Sequence, residues 1–328
     1  MSRSRGKGIG MTARNARRKV LYLAGWQRSG STILSNILGQ LQGFFSAGEI
    51  YYFWGDVAKD NVLCGCGVPL RECGLWSEVV HHAFGEAGVD AQRMKQLGTA
   101  TLRTRNIPRF AFTRSRGKIL DGLAEYVGNI DKLYAAIADT TGCAVIVDSS
   151  KWPAYGVLLS ERPNLDVYVL HLVRDPRAVA YSWQRRKPLP DQDEGAFMYR
   201  TPRSSSARWL AWNAGIEVFW KRCSDRYMLV RYEDFVTEPV ATVQQILDML
   251  GEQPRNVELT AREVFLDVCH TVDGNPARFR TGLVRLAKDD EWETAMDART
   301  RVAVTSMALP LLLHYRYPVT PGFRSRQG

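Results

Sequence analysis

The apolar run Val20-Leu21-Tyr22-Leu23-Ala24 passes directly into Gly25-Trp26-Gln27-Arg28-Ser29-Gly30-Ser31-Thr32. A short, wholly apolar strand is one buried on both faces, as in the centre of a parallel sheet. Glycines after it let the backbone turn sharply. A helix starting at Ser31 then aims its unpaired N–H groups at the turn, which is how an anion such as a phosphate is cradled. Gly25 and Gly30 have Walker A spacing, yet Ser31-Thr32 stand where that motif needs Lys-Ser/Thr. The cation of this loop is Arg28 instead. A nucleotide site is predicted, but one lacking the residue an NTPase most needs.

Similar apolar runs recur at Cys143–Val147, Val167–Leu172 and Tyr227–Val230, with a further strand expected just before Glu49. Helical patterns separate them at Ser31–Leu41, Lys118–Asp139, Arg177–Arg186, Arg208–Ser224 and Glu238–Gly251. Alternation of this kind predicts a doubly wound α/β domain, a three-layer sandwich around a mainly parallel sheet that carries the P-loop. Residues 186–206 are rich in proline, charge and serine and read as a long surface loop.

The net charge of +10 is unevenly placed. Residues 1–19 hold seven Arg and Lys and no acid, so the remainder has 37 basic against 34 acidic residues. Residues 1–18 therefore read as a basic disordered tail ahead of one domain at 19–328, and no nucleic-acid partner is expected. A second basic group, Arg103 to Lys118, lies nearer the body. No apolar stretch is long enough to span a bilayer, and no signal peptide is visible, so a cytoplasmic address is expected. Nothing argues for or against a homo-oligomer.

Cys64, Cys66 and Cys73 cluster in C-G-C-G-V-P-L-R-E-C. Zinc with His81 or His82 as fourth ligand is one reading, but the spacing matches no common zinc motif. Free thiols or one local disulfide are expected instead, and no metal.

A second anchor lies at Leu172-Val173-Arg174-Asp175-Pro176-Arg177-Ala178-Val179-Ala180-Tyr181-Ser182. Arg174 stands at the carboxyl end of a strand, where ligands bind in such sheets, and Ser182 is about two helical turns further on. Together they can hold a second phosphate. With two separated anion sites, the chain resembles the sulfotransferases that use 3′-phosphoadenosine 5′-phosphosulfate (PAPS). Arg28-Ser29-Gly30-Ser31-Thr32 is similar to their 5′-phosphosulfate loop, in the arginine form of the Golgi carbohydrate and tyrosylprotein branches. Leu172–Ser182 is similar to their 3′-phosphate motif. Val230–Asp234, with Tyr232, resembles a segment near the nucleotide. Gly274–Gly282, with Arg278, Arg280, Thr281 and Gly282, resembles the basic loop that closes over it. The cysteine group and Asp148-Ser149-Ser150-Lys151 resemble those of soluble bacterial members.

The resemblance implies transfer of a sulfuryl group from PAPS to an acceptor hydroxyl of a carbohydrate, phenol or lipid, releasing PAP. It implies Arg28 and Lys151 as the cations at the sulfonate and Glu49 as general base. No histidine stands in a matching context; His171 reads as a buried structural residue. Tyr51–Trp54 and residues 186–206 are the expected acceptor wall and lid. The alternative is a P-loop NTPase or kinase binding ATP with magnesium, because Val145-Ile146-Val147-Asp148 resembles a Walker B strand. A nucleic-acid or membrane-surface role for the basic tail is a third reading.

Overall fold

The computed structural model describes residues 17–59, 62–185, 199–253, 259–260 and 262–320. Five parallel strands form the central sheet: β1 (Arg18–Ala24), β2 (Phe44–Gly48), β3 (Val145–Lys151), β4 (Leu165–Val173) and β5 (Tyr227–Arg231). Their order is β2-β3-β1-β4-β5, which puts β1 in the middle. A short antiparallel pair, β6 (Glu263–Leu266) and β7 (Gly282–Arg285), forms a separate sheet.

The apolar continuity of β1 follows from this position. Val20, Tyr22 and Ala24 enter one core, and Leu21 and Leu23 enter the other. On the first side the helices Ala124–Thr141, Pro153–Ser160 and Pro202–Trp220 cover the sheet; on the second, Ser31–Leu38 and Pro239–Leu250 do so. Helices on both faces of a parallel sheet are the expected α/β sandwich.

Boundaries differ from the sequence reading in instructive ways. Strand β3 begins at Val145 and runs to Lys151, carrying the polar Asp148-Ser149-Ser150 inside a fully buried strand. The helix expected over 118–139 is two helices, Thr113–Asp121 and Ala124–Thr141, divided at Gly122 and Leu123. The helix expected from Arg208 starts at Pro202, where Thr201 caps Ser204 N–H and proline occupies the first turn. Residues 202–206 therefore leave the predicted loop, whose segment 186–198 lies outside the described residues. Residues 1–16 of the predicted tail also lie outside them, whereas Arg18 already belongs to β1.

Candidate active site

Three segments meet at the carboxyl ends of β1, β3 and β4. The loop after β1 is held tightly: a Cβ on Gly25 would lie 2.3 Å from the Leu172 carbonyl oxygen of β4. Arg28 takes a left-handed φ of 69°, unusual for a residue with a side chain. Gly30 has φ 88°, and a Cβ there would meet the Tyr232 ring at 2.4 Å. The helix Ser31–Leu38 starts at Gly30 with no side chain capping its first turn. Its leading N–H groups keep their capacity for an anion.

Arg174 follows β4 and is 6% exposed. Its guanidinium pairs with Asp289 at 2.9 Å, donates to the Arg28 carbonyl at 3.1 Å and lies over the Tyr232 ring. Its buried Nε has no partner among the described residues. Tyr232 is thus clamped between Gly30 and Arg174. Ser182 sits on the helix Pro176–Gln184 and faces the same cleft.

Glu49 and Lys151 form the third group. Glu49 leaves β2, its N–H donating to the Val272 carbonyl at 2.7 Å. Lys151 ends β3 with φ 71° at a register shift between β1 and β3. Its Nζ lies 2.6 Å from Glu49 Oε1, both side chains being under a tenth exposed. Burial pushes the Glu49 carboxyl above the usual carboxylate range; Lys151 opposes the rise and Asp273 adds to it. Burial likewise lowers the Arg28 guanidinium from its ordinary value, with Glu49 opposing. One helix positions two of these elements. Trp209 and Trp212 of Pro202–Trp220 donate their indole N–H groups to the carbonyls of Arg174 and Lys151, at 3.0 and 2.9 Å.

Gly30, Ser31, Thr32, Arg28, Glu49, Lys151, Arg174 and Ser182 all line one cleft of about 390 Å³. Ser29 is buried behind it, its hydroxyl donating to the Trp26 carbonyl. Arg278, Arg280, Thr281 and Gly282 are not brought to its wall. The buried Arg278 donates to the carbonyls of Gly274 and Leu63, Arg280 and Thr281 are exposed, and Gly282 opens β7. The part of that loop that does reach the cleft is Asp273–Ala277. Sequence reasoning also missed Arg185, which lines the cleft and pairs with Asp289 and Glu291. Helical periodicity carried the signal, since Arg185 follows Ser182 by three residues.

An adjoining cavity of about 350 Å³ is lined by Tyr51, Tyr52, Trp152, Tyr126 and Arg103, and shares Tyr52, Asp56 and Lys59 with the cleft. Tyr51 stacks on Trp152 at 4.7 Å between ring centroids. Of the predicted aromatic wall, Tyr51, Tyr52 and the largely buried Trp54 line this cavity, whereas Phe53 is buried in the core.

No histidine lines the cleft among the described residues. His171 is buried between Tyr227 and Asn213, and burial lowers its pKa to about 4, a structural role as expected. Asp148 is not among the residues that line the cleft: its buried carboxylate accepts from Tyr134 and from the Ser150 N–H, and burial raises its pKa to about 6. The Walker B reading gives it a magnesium ion to hold, and its oxygens are already engaged. In the cysteine loop, Cys64, Cys66 and Cys73 are free of disulfides, one of the two states expected. The loop's fourth neighbour is His270, some two hundred residues away in sequence, while His81 and His82 are exposed on the helix Gly74–Phe84.

A family model described as the sulfotransferase family matches residues 21–255. The chain belongs to the sulfotransferase family. Among curated proteins it is 28% identical to human carbohydrate sulfotransferase 5 over 112 residues, 29% of this chain and 26% of that protein. It is 29% identical to human carbohydrate sulfotransferase 6, covering 29% of this chain and 27% of that one. The aligned region thus spans about a quarter of the length of these curated relatives. The solved sulfotransferase domain from the curacin biosynthetic pathway superposes with a TM-score of 0.53 at 18% identity, covering 93% of this chain and all of that one. The last likeness is one of fold. Among the described residues, no helix of this chain is long and apolar enough to cross a membrane.

Proposed function

We infer that this sulfotransferase moves a sulfuryl group from PAPS to an acceptor hydroxyl and releases PAP. The observation that carries the reading is the convergence of two groups suited to anions and one buried carboxylate–lysine pair on a single cleft. PAPS carries its charge at two separated places. The N–H groups of Gly30, Ser31 and Thr32 suit the 5′-phosphosulfate, and Arg174 with Ser182 suits the 3′-phosphate. The orphaned Nε of Arg174 fits a further acceptor in that position.

In the chemical step the acceptor oxygen forms a bond to sulfur as the bond from sulfur to the bridging phosphate oxygen breaks. Glu49 takes the acceptor proton, a contribution of about 10²–10⁴-fold for a positioned base. Its elevated proton affinity favours that role. Arg28 and Lys151 hold the charge that collects on the leaving oxygen, at fixed positions that need no reorganisation. The acceptor enters through the adjoining cavity, where Tyr51, Tyr52 and Trp152 offer flat faces to a sugar ring or a phenol. The carbohydrate sulfotransferase relatives favour a sugar hydroxyl.

Calorimetric titration tests the nucleotide site. PAP should bind without magnesium, and Arg174→Ala should weaken it about 10–150-fold, the worth of a charge-assisted hydrogen bond of about 1.5–3 kcal/mol. Glu49→Gln should bind PAP normally and lose turnover against a panel of sugar and phenol acceptors. Unchanged PAP affinity in Arg174→Ala, or preference for magnesium–ATP, refutes the reading.

A further inference from the structure

The cysteine loop stands outside the proposed chemistry and has a geometry of its own. Cys66 Sγ lies 3.8 Å from Cys73 Sγ, and His270 Nδ1 lies 3.3 Å from Cys73 Sγ and 3.9 Å from Cys64 Sγ. All four candidate ligand atoms fall within 4.8 Å of one another. A disulfide needs sulfurs about 2.05 Å apart, so the spacing is not that of a bonded pair. A tetrahedral zinc ion, with Zn–S of about 2.3 Å and Zn–N of about 2.0–2.1 Å, separates its sulfurs by about 3.8 Å and sulfur from nitrogen by about 3.5 Å. The observed separations bracket those values.

The surrounding backbone is built for such a site. Cys64 N–H donates to the Val68 carbonyl and Gly67 N–H to the Cys64 carbonyl, both at 2.8 Å, folding residues 64–68 into a tight knuckle. Gly67 takes the left-handed φ of 87° that this turn requires. A Cβ on Gly65 would lie 2.8 Å from the Cys269 carbonyl oxygen, so glycine is needed at the position between Cys64 and Cys66 in the chain. Cys73 immediately precedes the helix Gly74–Phe84, whose Trp76 indole donates to the His270 carbonyl at 2.7 Å.

We propose that Cys64, Cys66, Cys73 and His270 form a structural zinc site, closed by four protein ligands. Three thiolates and one imidazole at tetrahedral spacing select zinc over magnesium or calcium, which take oxygen ligands. The site clips a local loop to the irregular segment that follows β6, some two hundred residues later in the chain. Gly65 N–H donates to the Thr271 carbonyl, Val272 bridges to Gly48, and Asp273–Ala277 then form a wall of the active-site cleft. Zinc thereby holds that wall against the end of β2, beside Glu49. Binding would release the thiol protons, since the thiolate is the ligand.

Elemental analysis of the full chain, expressed with zinc in the medium and freed of loose metal by gel filtration, tests this directly. About one zinc per chain is expected, with at least about a tenfold loss of bound zinc in Cys73→Ser and in His270→Ala. Cys223→Ser, at an exposed cysteine outside the cluster, should retain full metal. Because a ligand variant can fail to fold, the wild-type protein supplies a second measurement. Cobalt exchange should yield the intense visible absorption of a tetrahedral cobalt–thiolate centre, and stripping the metal with a chelator should lower the melting temperature. A wild-type chain that binds neither zinc nor cobalt overturns the proposal. So does a Cys66–Cys73 disulfide in freshly purified protein, or iron in place of zinc.

Discussion

Lys151→Met should reveal how strongly Glu49 depends on its partner. The two side chains are 2.6 Å apart and are 6% and 9% exposed, so solvent screens the pair little. At an effective dielectric constant of about 20, charges about 3–4 Å apart attract by roughly 4–6 kcal/mol. Breaking a buried pair from one side typically costs about 3–5 kcal/mol, because it strands the other charge. The stranded Glu49 has an escape, which is to bind a proton.

Burial already raises the Glu49 pKa, and the variant loses the two largest influences that lower it, the charge and hydrogen bond of Lys151. Its folded pKa then lies far above the unfolded value of about 4.3. For a carboxyl raised on folding, stability is present below the unfolded pKa and is lost as pH rises towards the folded one. The loss accrues at about 1.36 kcal/mol per pH unit, so protonation limits it to about 5 kcal/mol at about pH 8 but to under about 2 kcal/mol at about pH 5.5. Urea unfolding followed by tryptophan fluorescence at both pH values reads the difference. Lys151→Met should be destabilised by about 3–5 kcal/mol at the higher pH and by less than half of that at the lower. Adding Glu49→Gln should remove the pH dependence and restore most of the stability. Equal destabilisation at the two pH values, or a double variant no more stable than the single one, would refute the electrostatic account.

Two further expectations concern how the site is held. Gly30→Ala places a Cβ 2.4 Å from the Tyr232 ring at a φ of 88°, so the ring and the Arg174 stacked on it must shift. We expect a loss of about 1–3 kcal/mol in thermal unfolding together with weaker PAP binding, and a wild-type melting curve with unchanged affinity would contradict it. Trp212→Phe keeps an aromatic ring but leaves the Lys151 carbonyl without its indole donor. It should cost about 1–3 kcal/mol and reduce turnover more than PAP affinity; an equal fall in both would point to general loosening of the cleft.

Much of the site was legible because its parts are local. The loop Gly25–Thr32 joins a strand to a helix, and steric rules for glycine and helix ends act over a few residues. Arg174 and Ser182 are likewise tied by one helix, and the structure brings both to the cleft. The late loop was legible only in part. Resemblance pointed to Arg278–Gly282, but the residues that reach the cleft are Asp273–Ala277, which packing of Val272 against Gly48 carries there. Nothing in a linear pattern distinguishes a buried, structurally bonded Arg278 from a cleft-facing one.

The strand–loop–helix units, the alternation that makes the parallel sheet and the arginine-bearing loop after β1 could be read along the chain, since each depends on near neighbours. Which distant groups meet is a matter of tertiary packing. It joined Glu49 to Lys151 across β2 and β3, set Trp209 and Trp212 behind two site residues, and delivered His270 rather than His81 or His82 to the cysteine loop. Such pairings cost chain entropy that no local propensity repays. They arise when the buried sheet and its packed helices fix the positions of segments far apart in sequence.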